Sequence, residues 1–140
     1  MKLVLPPFSP GRTSRERFAV RFCETDLMGI VHHANYLQYF ELGRVGWLKE
    51  RGISYEVWLA EGAHLPVVDA QIRYHRAARF DEVLDLDTSC LETTRVTVRF
   101  GYRLVRGEEL LCEGLTTLAC VSDGMTARRF PERLGAVLRG

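Results

Sequence analysis

A change in the spacing of apolar residues near residue 35 constrains the fold of this 140-residue chain most strongly. Residues 14–23 alternate between apolar and polar side chains, a period of two that predicts a half-buried strand. From 35 to 51 the apolar residues recur at helical spacing, and alternation returns in four segments after residue 67. With a short second helix predicted at 54–61, the order is one strand, two helices and four strands.

The two N-terminal elements carry specific expectations. The first strand is expected to direct Phe18, Val20 and Phe22 to one face. In the helix, Asn35 is expected to be the N-cap, and Gln38 three residues later completes a pair that resembles a capping box. These expectations fix the face of the strand that meets the helix and the residue at which the helix begins.

Two glycines inside the helix, Gly43 and Gly46, weaken its intrinsic propensity by about 1 kcal/mol each. We expect this cost to be offset because small residues allow a helix to lie close to a sheet. The four later strands are joined by short turns, such as that at 106–109, so most of the sheet is expected to be antiparallel. One long helix on one face of such a sheet predicts an α+β fold.

Length and composition predict one domain without a membrane span. The chain is 46% hydrophobic and has a net charge of +1, which gives no reason to expect nucleic-acid or membrane-surface binding. No apolar run approaches the ~20 residues that a membrane span requires. Residues 1–13, rich in proline, glycine and serine, are predicted to form a flexible arm, and residues 14–140 a single domain.

The four cysteines are far apart and form no C-x-x-C pair, so neither a metal site nor a redox motif is predicted. We expect them to be small buried residues in a reducing cytoplasm. Residues 1–10 lack the charged start and the long apolar block that are typical of a signal peptide. The sequence therefore predicts a cytoplasmic protein.

The segment 25–36 carries the candidate chemistry. Asp26 precedes the turn residue Gly29, and the pair His32 and His33 leads into the helix. A carboxylate near a helix start, where backbone N–H groups are unpaired, is a suitable place for acid–base or acyl chemistry. The residues alone also allow an alternative without chemistry, in which Asp26 only accepts a hydrogen bond within its own turn.

This segment resembles the hotdog-fold acyl-CoA thioesterases, in particular the branch of 4-hydroxybenzoyl-CoA thioesterase and the Tol–Pal-associated enzymes. The similarity is carried by three later stretches, 74–82, 121–124 and 129–132, and by Asp26, Gly29, Val31, Asn35, Tyr36, Glu41 and Arg44. The resemblance implies a five-stranded antiparallel sheet wrapped around one long helix. It also implies homodimers, often paired into homotetramers, with sites at the subunit interface, an acyl-CoA substrate and no metal or other cofactor.

The resemblance assigns catalytic roles to individual residues. Asp26 matches the catalytic carboxylate, which either attacks the thioester carbonyl or activates water. The backbone N–H at His33 is expected to bind the thioester oxygen, and its imidazole ring is a candidate for the acid–base step. Glu41, on the helix, is the alternative carboxylate, or it pairs with Arg44 three residues later.

Substrate-binding roles are expected at further positions. Thr25 and Gly29 would line and shape the site, and Asn35 would border it as well as cap the helix. Arg128 and Arg129 are the best local pair for the phosphates of coenzyme A. Three arginines on one strand face are the alternatives, namely Arg95, Arg99 and Arg103.

Two other functions remain open, a non-catalytic acyl-ligand binding or scaffold protein of the same fold and a hydratase or dehydratase acting on acyl thioesters. The presence of Asp26 favours hydrolysis over binding, because a binding protein needs no carboxylate there. The acyl group and the choice between dimer and tetramer also stay open. Tyr74 lies on an apolar strand face and is assigned to the core, whereas His75 and Arg76 are assigned to a solvated strand end.

Overall fold

The computed structural model describes residues 2–140, and its elements follow the predicted order. The five strands form one antiparallel sheet with the strand order β1-β3-β4-β5-β2. The prediction of an α+β fold with a five-stranded antiparallel sheet and one long helix is confirmed. The elements are β1 (Thr13–Ala19), α1 (Asn35–Glu50), α2 (Tyr55–Ala60), β2 (Val67–Tyr74), β3 (Val83–Thr93), β4 (Thr97–Arg106), β5 (Glu109–Ala119) and α3 (Glu132–Arg139).

Strand β4 is the central strand of the sheet. Its alternation places every second side chain in the core. Val98, Phe100, Tyr102 and Leu104 are all buried. The strand continues into β5 through a tight turn in which Gly107 has φ +62°, a conformation that favours glycine. Strand β2 returns to the edge beyond β5, so one side of its backbone faces away from the sheet.

Helix α1 lies directly on the sheet, as its two internal glycines predict. The ring of Phe40 stacks on that of Tyr102 with 4.2 Å between centroids. Gly114 of β5 lies under Phe40, where a Cβ atom would overlap the ring. Gly43 faces Thr88 of β3 in the same way, since a Cβ atom there would overlap the threonine hydroxyl. The missing side chains therefore set the distance between the helix and the sheet.

Two burial predictions at the end of the first strand are wrong. Strand β1 ends at Ala19, and residues Phe22–Glu24 form a 3-10 turn instead of continuing the strand. Because a turn does not keep the period of two, Phe22 points outward with 72% of its surface exposed and packs against Phe80. Cys23 is exposed for the same reason, whereas the other three cysteines are buried.

The predicted cap of α1 is also wrong. Ala34 is the N-cap, it already has helical dihedral angles (φ −70°, ψ −23°), and no side chain caps the first turn. Asn35 is the first residue of the helix, and its side-chain amide donates to the backbone oxygen of Glu24 at 2.8 Å. Because that side chain is directed to another segment, it forms no capping box with Gln38. At the other end, Gly52 follows the helix with φ +83°, a backbone conformation that favours glycine and ends the helix.

The N-terminal segment contacts the sheet and the last helix. Arg103 of β4 donates to the backbone oxygen of Pro6 at 3.0 Å and lies over the ring of Phe8 at 4.0 Å. Arg12 donates to the backbone oxygen of Val137 in α3 at 3.2 Å. The division of the chain into a flexible arm and a domain beginning at residue 14 stays a prediction. Among residues 2–140, no helix is long and apolar enough to cross a membrane.

The two helix glycines make a matched test of the close approach. We expect Gly43→Ala to lower the free energy of unfolding by about 1–2 kcal/mol, because overpacking against β3 outweighs the gain of about 1 kcal/mol in helix propensity. Gly46→Ala should be neutral or stabilising, since the atoms that its Cβ would meet belong to the flexible side chain of Glu16. Urea denaturation of both variants measures the difference. A Gly43→Ala protein at least as stable as Gly46→Ala would contradict this account of the packing.

Candidate active site

The backbone oxygen of Glu24 ties the start of α1 to the turn that follows β1. It accepts hydrogen bonds from the His32 N–H at 2.9 Å and from the Asn35 side chain at 2.8 Å. The Glu24 carboxylate accepts a third from the Tyr39 hydroxyl at 3.0 Å, and burial raises the pKa of that tyrosine, which keeps it a donor. The helix therefore begins at a fixed position relative to the segment that carries Asp26.

Asp26 lies in a tight hairpin between Glu24 and the start of α1. Its backbone N–H donates to Ile30 at 2.9 Å, and its carbonyl accepts from Gly29 at 3.0 Å. Gly29 has φ +75°, so its predicted role in the turn has a physical basis in its backbone conformation. The Asp26 carboxylate accepts from the Met28 N–H through Oδ1 at 2.8 Å, which is the turn contact that the sequence allows. Within residues 2–140, Oδ2 has no hydrogen-bond partner, so one carboxylate oxygen remains for a ligand or for water.

The backbone around His33 leaves one donor unused. The His32 N–H donates to Glu24, the Ala34 N–H to Nδ1 of His32 at 3.1 Å, and the Asn35 N–H to the His32 carbonyl at 2.9 Å. In this stretch, and counting acceptors in residues 2–140, only the N–H of His33 has no partner. The ring of His33 is exposed and stacks on that of His32 with 4.2 Å between centroids.

The end of β2 reaches this loop through Tyr74. Its hydroxyl donates to the His33 carbonyl at 2.8 Å, and its ring packs edge-on against Tyr36 at 5.1 Å. The assignment of Tyr74 to the core is wrong, because β2 is an edge strand and 47% of this side chain's surface is exposed. Partial burial raises the pKa of Tyr74, so the hydroxyl stays protonated and able to donate near neutral pH.

One cleft of ≈ 380 Å³ brings these parts together. It contains both predicted catalytic residues, Asp26 and His33. The end of β2 and the following turn form its other wall. Its lining comprises Asp26, Met28, Ile30, Val31, His33, Tyr36, Tyr74, His75, Arg76 and Ala77.

Two side chains of this wall contact carboxylates of β5. The His75 Nε2 lies 2.9 Å from the carboxylate of Glu113, and the Arg76 Nε lies 3.0 Å from that of Glu109. Sequence reasoning had assigned both residues to a solvated strand end, and they are exposed, but they also face the cleft. The signal that could have identified them is their position directly after Tyr74, where an edge strand ends beside the helix start.

The other predicted carboxylate and the phosphate-binding arginines lie outside this cleft. Glu41 borders a second, mainly apolar groove between α1, α2 and β5. Its expected partner, Arg44, donates instead to the Tyr102 hydroxyl at 3.1 Å, and no ion pair joins the two within residues 2–140. Arg128 donates to the backbone oxygen of Glu61 at 2.8 Å, and Arg129 is exposed beside it.

Thr25 and Asn35 have structural contacts in this structure. Thr25 pairs with Val31 across the hairpin and donates its hydroxyl to the Phe22 carbonyl at 2.8 Å. Asn35 binds Glu24 as described above, and neither residue lines the cleft. Their substrate-binding roles, like those of Gly29, Glu41, Arg128 and Arg129, stay predictions.

The cleft has the groups that acyl transfer requires. A carboxylate with a free oxygen can attack or deprotonate, and an unpaired backbone N–H can bind a developing oxyanion. Among residues 2–140, no group of three histidine, cysteine, aspartate or glutamate side chains is arranged to hold a metal ion.

Comparison with known families agrees with this geometry. The model of the thioesterase superfamily matches residues 28–113, which include the last part of the loop before α1, α1 itself and most of the sheet. The chain belongs to the thioesterase superfamily. The resemblance that the sequence suggests is therefore confirmed at the level of the family, and so is the hotdog fold that it implies.

This superfamily member is also similar to individual proteins. It is 33% identical over 119 residues to the acyl-CoA thioesterase YbgC of Haemophilus influenzae, covering 84% of this chain and 88% of the relative. It superposes on a hypothetical protein from Thermus thermophilus with a TM-score of 0.85 and 37% identity, covering 91% and 95% of the two chains. A DHNA-CoA thioesterase from Staphylococcus aureus gives a TM-score of 0.80 and 28% identity, covering 84% and 80%.

The contact between Asn35 and Glu24 can be tested against the capping box of Asn35 and Gln38 that the sequence suggested. We expect Asn35→Ala in this thioesterase-superfamily protein to lower the free energy of unfolding by about 1 kcal/mol, because it removes one hydrogen bond. Gln38→Ala is the control and should change stability by less than about 0.5 kcal/mol, since Gln38 is exposed. Denaturant unfolding measures both. An equal loss in the two variants would favour the capping box that the structure lacks.

Proposed function

We propose that this protein hydrolyses acyl-CoA thioesters to a free acid and coenzyme A in the cleft between Asp26 and Tyr74. The observation that carries the proposal is the presence of Asp26 and His33 in one cleft of a thioesterase-superfamily chain. The similarity to relatives named as acyl-CoA thioesterases supports the substrate class. Coenzyme A enters as part of the substrate, and the proposed reaction uses no metal or other cofactor.

Asp26 is the proposed catalytic carboxylate, and it can start hydrolysis by either of two routes. In the first, the carboxylate attacks the thioester carbonyl, coenzyme A leaves as the thiolate, and water hydrolyses the resulting anhydride. In the second, the carboxylate takes a proton from water and the hydroxide attacks the carbonyl, after which the thioester bond breaks and coenzyme A leaves as the thiolate, which takes up that proton. The unpartnered Oδ2 suits both routes, because Oδ1 is held by the Met28 N–H.

The N–H of His33 is the proposed donor to the oxyanion that either route creates. An unpaired donor held in place before the reaction stabilises the transition state by roughly 3 kcal/mol. The neighbouring N–H groups of His32, Ala34 and Asn35 already donate hydrogen bonds within the protein, so they do not compete for the thioester oxygen. The exposed ring of His33 is the proposed group for returning a proton to the departing thiolate.

Coenzyme A phosphates need basic partners outside the reacting centre. Arg128 and Arg129 remain the proposed pair. Arg76 is an additional candidate, because it lines the cleft and 67% of its side-chain surface is exposed despite the ion pair with Glu109.

We propose that the protein acts as a homodimer or a homotetramer in the cytoplasm. The unpaired edge of β2 supports self-association, since Val67 and Val68 are 44% and 60% exposed there. Unpaired thiols and an acyl-CoA substrate support a reducing cytoplasm. Light scattering at several protein concentrations tests the assembly, and a monomer at all of them would contradict it.

A substrate screen tests the proposed function directly. We expect thiol release from at least one of three classes of acyl-CoA, with short, long or aromatic acyl groups. The release is measured with a thiol reagent. Binding of an acyl-CoA without release from any of them would instead support the alternative of a non-catalytic acyl-ligand protein.

The Asp26→Asn variant tests the catalytic carboxylate. Because asparagine keeps the oxygen that accepts from Met28, we expect the fold and the unfolding temperature to be preserved. The kcat should fall by at least about 100-fold, because an amide is neither a nucleophile nor a base at neutral pH. Asp123→Asn, at a residue that lies outside the cleft, is the control and should retain wild-type kcat. A nearly normal kcat for Asp26→Asn on the best substrate would remove Asp26 from the mechanism.

A further inference from the structure

Tyr74 makes the contact between the sheet and the loop that holds the proposed oxyanion donor. Two peptide groups flank the Cα of His33, and both are fixed by hydrogen bonds. In the first, the His32 carbonyl accepts from the Asn35 N–H at 2.9 Å. Because a trans peptide directs its N–H opposite to its carbonyl, this bond turns the His33 N–H away from the first turn of α1.

The second peptide is fixed from both of its ends. Its N–H, at Ala34, donates to the His32 ring at 3.1 Å, and its carbonyl, at His33, accepts from Tyr74 at 2.8 Å. The bond to the His32 ring lies within the loop itself, so it moves with the loop. Tyr74 is 41 residues away along the chain and belongs to β2, so its bond ties the loop to the sheet.

We propose that Tyr74 is a positioning residue, whose hydroxyl holds the carbonyl of His33 and thereby fixes the residue whose own N–H faces the thioester oxygen. This inference rests on the proposed thioesterase function and assigns to it a residue on a different element from Asp26. Tyr74 also lines the cleft, and its ring is kept in place by the edge of Tyr36 at 5.1 Å. The hydrogen bond therefore joins two residues of the cleft lining that belong to different elements of the chain.

The size of the fall in kcat expected on loss of the Tyr74 hydroxyl follows from the sensitivity of acyl transfer to geometry. Without the hydroxyl, the loop keeps its local bonds but loses its attachment to the sheet. A misplacement of about 1 Å in a catalytic group lowers the rate by roughly 100-fold. Because binding of the distant parts of coenzyme A does not involve this peptide, KM should change much less than kcat.

The test is Tyr74→Phe, which removes the hydroxyl and keeps the ring. We expect kcat to fall by about 10- to 100-fold with KM within about twofold of wild type. Amide hydrogen exchange at Ala34 and Asn35, whose N–H groups are hydrogen-bonded in the loop, should become faster, while the unfolding temperature stays close to that of the wild type. The matched control is Tyr55→Phe. Tyr55 is 56% exposed and packs edge-on against Trp58, and its hydroxyl has no hydrogen-bond partner among residues 2–140.

The other outcomes distinguish failure of the positioning role of Tyr74 from failure of the proposed function. A Tyr74→Phe protein with wild-type kcat would overturn the positioning role while leaving the proposed function intact. So would a fall in kcat without faster exchange at Ala34 and Asn35, or a rise in KM alone, because Tyr74 would then act on the substrate directly. Absence of thiol release by the wild-type protein with every acyl-CoA would overturn the proposed function, and the positioning role of Tyr74 with it.

Discussion

The close packing of α1 on the sheet is the constraint on which the rest of the structure depends. Gly43 and Gly114 have no side chains where the helix meets the strands, and Phe40 stacks on Tyr102 beside them. Interiors packed at this density do not deform continuously, so the axis of α1 has one stable position. The start of the helix, and the loop that leads into it, are therefore fixed relative to the sheet.

The candidate site is built where that loop meets two other segments. The Glu24 carbonyl binds the loop from the turn after β1, and Tyr74 binds it from the end of β2. Between these anchors, the hairpin of Asp26 supplies a carboxylate oxygen and the loop supplies the N–H of His33. Each of the two candidate groups thus has its own support, and such support is what keeps two groups at a fixed separation.

Both walls of the cleft are elements of one chain, but the edge of the sheet beside it is open. Strand β2 carries Tyr74 on an edge where backbone groups and the apolar side chains of Val67 and Val68 are exposed. A partner chain paired with this edge would lie next to the cleft and would narrow its opening. Self-association and substrate access would then be linked through the same strand.

The sequence by itself determined the order of the elements, the antiparallel sheet, the helix of 35–50 and the membership of Asp26 and His33 in one candidate site. These features follow from local patterns, namely the periods of apolar residues, the turn glycines and the spacing of a motif. The tertiary structure decided where individual side chains point. Phe22 turned outward because a 3-10 turn ended the strand, and Asn35 bound Glu24 instead of capping its own helix. Tyr74 became a wall of the cleft because β2 lies at the edge of the sheet. Strand order and contacts between distant segments are long-range properties, and no local period along the chain encodes them.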